Sequence, residues 1–95
     1  MITSNEPGVY LENQYGIRLE NLMMCVKDKK TEYGQFMKMQ TLTLVPFDRA
    51  AIDVTMLDSR QKDLLNTYHQ RVYEKIGSRL SDEERAWLKA ETAPL

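Results

Sequence analysis

The sequence has few of the features that mark a secreted, membrane or disulfide-stabilised protein. Its single cysteine excludes an internal disulfide framework and a zinc site built from several cysteines. Its longest apolar run, residues 22–26, is far shorter than the roughly 20 residues that span a bilayer. The first residues carry no basic segment followed by an apolar one, so they do not read as a secretory signal. We therefore expect a cytoplasmic protein.

An excess of charge of one sign is also missing. Thirteen Lys and Arg residues stand against fourteen Asp and Glu residues, a formal net charge of −1. Proteins that bind nucleic acids or acidic membranes rely on surplus positive charge to attract phosphates. We therefore expect neither nucleic acid nor a membrane among the partners. The 95 residues are 42% hydrophobic and 28% charged, which is typical of a folded chain with room for one small domain or part of one.

Alternation of apolar and polar residues dominates the first half of the chain and predicts antiparallel strands. Residues 2–11 read as a strand that is interrupted at Pro7-Gly8, because proline cannot donate a ladder hydrogen bond. Residues 16–26 form the clearest strand, and residues 12–14 are expected to connect the two as a hairpin. A solvated loop over 27–34 and a further strand over 36–47 complete this half.

Helical spacing begins after residue 57. Asp58 with Gln61, and Ser81 with Glu84, each match a capping box, in which the N-cap and the third helical residue bond each other's backbone amides. Gly77 is expected just after the first helix, as a C′ residue. The pattern predicts an α+β fold in which antiparallel strands are followed by two C-terminal helices.

Two glutamates in the predicted hairpin raise a chemical question. Glu6 and Glu20 are symmetric about Asn13, so a three-residue loop would place them opposite each other. Like charges that face each other across a ladder are destabilising. A raised pKa, a salt bridge to Arg18 or a bound divalent cation would each resolve the conflict, and spacing alone leaves all three open.

The segments around these glutamates, TSNEPGVY at 3–10 and YGIRLEN at 15–21, resemble the last two metal-ligand segments of Xaa-Pro aminopeptidases. These enzymes belong to the pita-bread metallopeptidase superfamily. Four later segments resemble the C-terminal extension of the long, three-domain aminopeptidase P branch: LTLVPFD at 42–48, ID at 52–53, LNTYH at 65–69 and WLKAETAPL at 87–95. The resemblance therefore covers nearly the whole chain.

The resemblance implies roles for four residues. Glu6 is similar to the family glutamate that ligates one metal ion, and Glu20 to the glutamate that bridges two. Tyr10 and Arg18 match positions that hydrogen-bond and orient the ligand carboxylates. The implied cofactors are two divalent ions, manganese or zinc, with a water between them that attacks the peptide bond before proline. The implied partners are peptides with proline at the second position and a second copy in a homodimer.

The family's remaining ligands, two aspartates and a histidine, lie upstream of these motifs and are absent here. His69 is in the wrong context and is expected to be a packing or surface residue, and Trp87 to pack within its own domain. We therefore expect a fragment: residues 1–47 would end the catalytic domain, and 48–95 would form a mainly helical extension. Alone, this chain would neither hydrolyse peptides nor hold the metal pair.

Two other readings stay open. The chain could come from a non-catalytic pita-bread relative that keeps the fold for binding, or it could serve as a dimerisation or interaction module. The presence of Glu6, Tyr10, Arg18 and Glu20 together favours the enzyme, since a non-catalytic relative has no reason to keep all four.

Overall fold

The computed structural model describes every residue from Met1 to Leu95, in two compact units. The first unit, Met1–Thr43, contains all of the strands, and the second, Leu44–Leu95, contains the helices. The predicted order of antiparallel strands followed by two helices is confirmed. Neither helix combines the length and the apolar character that crossing a membrane requires.

The first unit is built from antiparallel pairs only. Its strands are β1 (Ile2–Asn5), β2 (Gly8–Leu11), β3 (Tyr15–Arg18), β4 (Asn21–Thr31) and β5 (Gly34–Thr41). Strand β4 lies between β1 and β5 in a three-stranded sheet, and β2 pairs with β3 in a two-stranded sheet. The predicted turn over residues 12–14 connects β2 to β3, and Asn13 adopts the left-handed conformation that tight turns require, with φ of 60°.

The two sheets share one hairpin whose register does not change between them. Asn5 pairs with Asn21 in the first sheet, and Gly8 pairs with Arg18 in the second. Two residues separate the paired positions on each strand, so no bulge lies between the ladders.

Proline explains why this hairpin divides into two ladders. The Leu19 amide donates to the Pro7 carbonyl at 3.1 Å, but Pro7 has no amide proton to return. The interruption predicted near Pro7 is thus a lost ladder bond. The prediction of one continuous strand over 16–26 is wrong for the same reason, because residues 19 and 20 lie between β3 and β4.

The prediction of a loop over 27–34 is wrong. Strand β4 continues to Thr31, and only Glu32 and Tyr33 form the turn before Gly34, whose φ of 125° favours glycine. The lysines of this segment are exposed, but their backbone is paired with β5, apart from an irregularity between Lys27 and Lys30. The polar composition of residues 27–34 therefore indicates that this segment is exposed, and it does not indicate that the segment lacks strand structure.

The strand predicted over 36–47 ends early. Strand β5 stops at Thr41, and Leu42 adds one further bond by donating to the Leu22 carbonyl at 2.7 Å. Residues 42–48 continue without regular secondary structure, so the alternation there does not correspond to a ladder.

Both predicted helices begin at their capping boxes. Helix α1 (Ser59–Ile76) follows Asp58, whose carboxylate accepts from the Gln61 amide at 2.8 Å, while the Gln61 side chain accepts from the Asp58 amide at 3.0 Å. Helix α2 (Asp82–Glu91) follows Ser81, which makes the equivalent pair of bonds with Glu84. Each box satisfies amides that the first helical turn leaves without a partner.

Gly77 follows α1 as predicted, but not as a left-handed cap. Its φ of −56° is helical, and the chain passes directly into a 3-10 turn over Gly77–Arg79. Gly77 is buried, and its carbonyl accepts from the Arg85 guanidinium at 2.8 Å. A Cβ built there would lie 3.5 Å from Tyr73 Cε2, which is an ordinary contact, so neither packing nor backbone handedness requires glycine at this position.

The core of the second unit is small. Its buried apolar side chains are one from each helix, Val72, which is fully buried, and Leu88, which is 2% exposed; His69 of α1 is fully buried as well. The last residues of the chain are tied to this unit, because Arg49 donates to the Ala93 carbonyl and the Leu95 amide donates to Asn66 at 2.8 Å.

Candidate metal-ligand site

Glu6 and Glu20 lie directly opposite each other, in the gap between the two ladders of the hairpin. The unchanged register on either side of the gap places them as partners. The adjacent pair, Pro7 and Leu19, carries the hydrogen bond, so Glu6 and Glu20 form a non-hydrogen-bonded pair. In such a pair the Cα atoms lie about 4.5 Å apart and the side chains are at their closest. The juxtaposition predicted from the symmetry about Asn13 is confirmed.

Arg18 reaches the pair from the same face of the hairpin. Its guanidinium lies 3.8 Å from the Glu20 carboxylate, and the two side chains are 52% and 43% exposed. Of the three ways to relieve the repulsion, the structure shows the salt bridge. An exposed ion pair of this kind contributes about 0–1 kcal/mol. Two carboxylates and one guanidinium still leave one net negative charge on this face.

The Tyr10 ring lies along the same face, over two glycines. Tyr10 pairs with Gly16, and Gly8 pairs with Arg18. A Cβ atom built on Gly16 would lie 2.7 Å from Tyr10 Cδ1, and one built on Gly8 would lie 2.8 Å from the Tyr10 hydroxyl oxygen. The ring therefore extends from Gly16 towards Gly8, with its hydroxyl at the end nearer to Glu6.

This arrangement of Tyr10 was not anticipated from the sequence. The available signal is that Gly8 and Gly16 share the face of Tyr10, one two residues before it and one opposite it. Glycine at both positions leaves open surface where side chains would otherwise stand.

The donor set of the hairpin fits a hard divalent cation. Carboxylate oxygens are the ligands that manganese, magnesium and calcium prefer, and zinc also accepts them. No group of three or more His, Cys, Asp and Glu side chains in the chain is placed to hold a metal ion. The hairpin thus places two carboxylates side by side, and a metal ion at this position would need further ligands.

His69 belongs to the second unit and has a structural role, as expected. It is fully buried, and its Nε2 accepts a hydrogen bond from the Phe47 amide at 3.1 Å, while Nδ1 has no partner. Its ring is 5.7 Å from that of Tyr68, measured between centroids. Burial lowers the pKa of His69, and the positive charge of Arg49 lowers it further. His69 is therefore a neutral packing residue.

The prediction that Trp87 packs within its own domain is wrong. Trp87 is 59% exposed on α2 and does not pack into the core of the second unit. The neighbouring Leu88 is buried in its place, because the helix turns about 100° per residue and presents only one of the two to the core.

Comparison with known proteins identifies the family. The model of the C-terminal region of peptidase M24 matches residues 35–95. The chain belongs to this M24 peptidase family. The prediction that it matches the C-terminal part of an Xaa-Pro aminopeptidase with a pita-bread fold is confirmed.

Individual M24 relatives match along the full chain. Xaa-Pro aminopeptidase 2 of Sus scrofa is 40% identical over 99 residues, which cover 100% of this chain and 15% of that protein. The putative Xaa-Pro aminopeptidase FRA1 of Saccharomyces cerevisiae is 42% identical over 96 residues, with 99% of this chain and 13% of that protein covered. The chain thus spans about a seventh of the length of these relatives.

A solved structure agrees with these matches. The X-prolyl aminopeptidase of Caenorhabditis elegans, a cytosolic enzyme with a di-nuclear active site, superposes with a TM-score of 0.85 at 31% sequence identity. The superposition covers 99% of this chain and 16% of that protein.

Proposed function

We propose that this chain is the C-terminal part of a dinuclear-metal aminopeptidase that removes the N-terminal residue when proline follows it. The observation that carries the proposal is the opposition of Glu6 and Glu20 on one face of a hairpin. The Xaa-Pro aminopeptidases of pig and yeast and the di-nuclear active site of the C. elegans enzyme support it. Isolated glutamates on unrelated elements would not support it.

In this proposal Glu6 would be a ligand of one ion, and Glu20 would be a ligand shared by two ions. Manganese or zinc would fit the oxygen donors and, when bound, would supply Lewis-acid chemistry for hydrolysis of the peptide bond by water. Arg18 neutralises part of the negative charge on Glu20 and limits the directions in which that carboxylate can turn. Tyr10 has its side chain on the same face, and its hydroxyl would orient a ligand carboxylate by donating a hydrogen bond to it.

We assign residues 1–47 to the end of the catalytic domain and residues 48–95 to a C-terminal extension. Leu22, Met24 and Val26 occupy one face of the three-stranded sheet. Met23, Met37 and Met39 occupy the other. Apolar side chains thus lie on both faces of the sheet, and a sheet face that carries them is ordinarily packed against another layer. Here Leu22 remains 45% exposed and Met39 42%, so we infer that the rest of the catalytic domain covers them.

The proposal includes partners and location. The substrates are peptides with proline at the second position, and the enzyme is a cytoplasmic homodimer. The cytosolic C. elegans enzyme supports the location. The exposed Trp87 supports a subunit contact, because tryptophan is enriched at the centres of interfaces. The net charge of −1 argues against nucleic acid and acidic membranes.

The test replaces each carboxylate with its neutral isostere in the full-length enzyme. Glu6→Gln and Glu20→Gln keep the side-chain shape but remove the anionic ligand, so we expect loss of bound metal and of most Xaa-Pro hydrolysis. Glu32→Gln is the matched control, because Glu32 lies in the β4–β5 turn at the far end of β4. Near-normal turnover in Glu20→Gln would contradict the ligand assignment. A metal-loaded wild-type enzyme without hydrolysis would instead favour the non-catalytic relative.

The 95-residue chain by itself should not hydrolyse an Xaa-Pro peptide, because it supplies only two carboxylates to the metal pair. Release of the N-terminal residue by this chain, abolished by Glu20→Gln, would contradict this expectation.

A further inference from the structure

Gly8 and Gly16 are not required by the conformation of the backbone. The only glycine with a positive φ is Gly34, so both hairpin glycines adopt angles that any residue can take. Strand interiors ordinarily disfavour glycine, because it loses more conformational entropy on folding and has no side chain to pack. The reason for glycine at both positions must therefore come from the residues that pack against this face of the hairpin.

The side chain that packs against Gly8 and Gly16 on this face is the Tyr10 ring. A Cβ on Gly16 would stand 2.7 Å from Cδ1 and 3.2 Å from Cε1, so the body of the ring would have to move to admit it. A Cβ on Gly8 would stand 2.8 Å from the hydroxyl oxygen and 3.0 Å from the Ile17 carbonyl oxygen, which is backbone. Tyr10 and Gly16 also form a non-hydrogen-bonded pair, the closer of the two pair types.

We propose that Gly8 and Gly16 are positioning residues that select the orientation of Tyr10. Together they form a flat surface, the glycine platform, on which one face of the ring rests. The other face is open, since Tyr10 is 66% exposed, so within this chain the platform holds the ring. A side chain at Gly16 would lift the ring away from the strand and move its hydroxyl away from the carboxylate pair.

The platform has two separable consequences. It determines where the ring lies, which depends only on the hairpin. It also determines where the hydroxyl stands relative to Glu6 and Glu20, and this second consequence rests on the proposed function. Residues that orient metal ligands typically change metal affinity by about 10- to 100-fold when they are replaced.

The experiment is a double-mutant cycle in the full-length protein that carries this chain. The four proteins are the wild type, Gly16→Ala, Tyr10→Ala and the double variant. Each is measured for the melting temperature of the metal-free protein and for manganese affinity by calorimetry. Gly16→Ala should lower the melting temperature in the Tyr10 background. In the Tyr10→Ala background it should be neutral or raise it, because alanine restricts the unfolded chain and meets no ring.

For manganese affinity we expect Gly16→Ala and Tyr10→Ala each to weaken binding about tenfold, and the double variant to bind no more weakly than Tyr10→Ala alone. Repeating the Gly16→Ala change in a Tyr10→Phe background distinguishes the effect of the ring from the effect of the hydroxyl. Gly16→Ala should still lower the melting temperature there, because the ring carbons remain, but should cause no further loss of affinity.

Each result decides one part of the proposal. Equal melting-temperature shifts in the two backgrounds would overturn the platform. Two results would overturn the positioning role even if the melting temperatures are coupled. The first is that Gly16→Ala leaves the manganese affinity unchanged. The second is that the affinity losses of the two single variants multiply in the double variant. If Glu20→Gln binds manganese normally, the proposed function fails, while the metal-free melting temperatures still test the platform.

Discussion

Acidification below about pH 6.5, the usual pKa of histidine, is expected to destabilise the helical unit through His69. The imidazole is fully buried, and its Nε2 must keep a lone pair to accept from the Phe47 amide at 3.1 Å. Protonation turns that acceptor into a donor that faces another donor. It also places a positive charge near Arg49, which acts on the imidazole by Coulomb repulsion.

The sign of the effect follows from proton linkage. Burial, and then the positive charge of Arg49, lower the pKa of His69 below the ordinary histidine value of 6.5 in the folded chain. As the pH falls below 6.5, the unfolded chain binds the proton first, so the free energy of unfolding decreases. The decrease stops once the pH is below the folded pKa as well.

The magnitude follows from the hydrogen bond. Loss of the acceptor leaves the partly buried Phe47 amide unsatisfied, which costs about 1–3 kcal/mol. This is a large fraction of the roughly 5–15 kcal/mol that stabilises an ordinary domain. The effect should therefore be visible as a shift in the denaturation midpoint.

The assay is urea unfolding of the 95-residue chain, followed by far-UV circular dichroism, at several pH values between about 7.5 and 5, a range that includes the ordinary pKa of histidine. His69→Gln is the matched variant, because an amide oxygen can accept from Phe47 but does not titrate. Its free energy of unfolding should vary little over this range. Glu84 does not interfere, because hydrogen bonds from Ser81 lower its pKa below 4.5 and its contribution is lost only at lower pH. An equal pH dependence in wild type and His69→Gln would refute the reasoning.

Two further predictions concern the second unit. Tyr68→Phe should lower the free energy of unfolding by about 1 kcal/mol, because the hydroxyl donates to the Val45 carbonyl at 2.8 Å and accepts from its amide at 3.3 Å. Tyr33→Phe, at an exposed turn, is its control in urea denaturation, and equal effects would argue against the Val45 bonds. Ser81→Ala should cost about 1 kcal/mol by removing the N-cap of α2. Ser78→Ala, on an exposed serine, should be nearly neutral in thermal unfolding, and a larger effect there would contradict the capping argument.

The predictions that succeeded rest on local chemistry. A capping box joins residues three apart, so Asp58 with Gln61 and Ser81 with Glu84 could be recognised without knowledge of the rest of the fold. The proline interruption is equally local, since the missing amide proton belongs to Pro7 itself.

The predictions that failed depended on partners distant in the chain. Residues 27–34 look like a loop because they are charged, but pairing with β5 satisfies their backbone and makes most of them strand. The alternation over 36–47 looks like a strand, but no neighbouring strand extends beyond Thr41 to pair with it. An extended segment joins a sheet only where another strand lies beside it to pair with it. The composition of the segment itself does not show whether such a strand is present.

By itself, the sequence determined that Glu6 faces Glu20. The three-residue turn and the two-residue period of a strand leave these carboxylates no other partner once the hairpin closes. Tertiary structure decided how the Tyr10 ring lies on Gly8 and Gly16, and that His69 is buried against Phe47, 22 residues away. The physical reason is that strand parity follows from backbone geometry, whereas ring orientation and burial depend on the shape of the space that other residues leave.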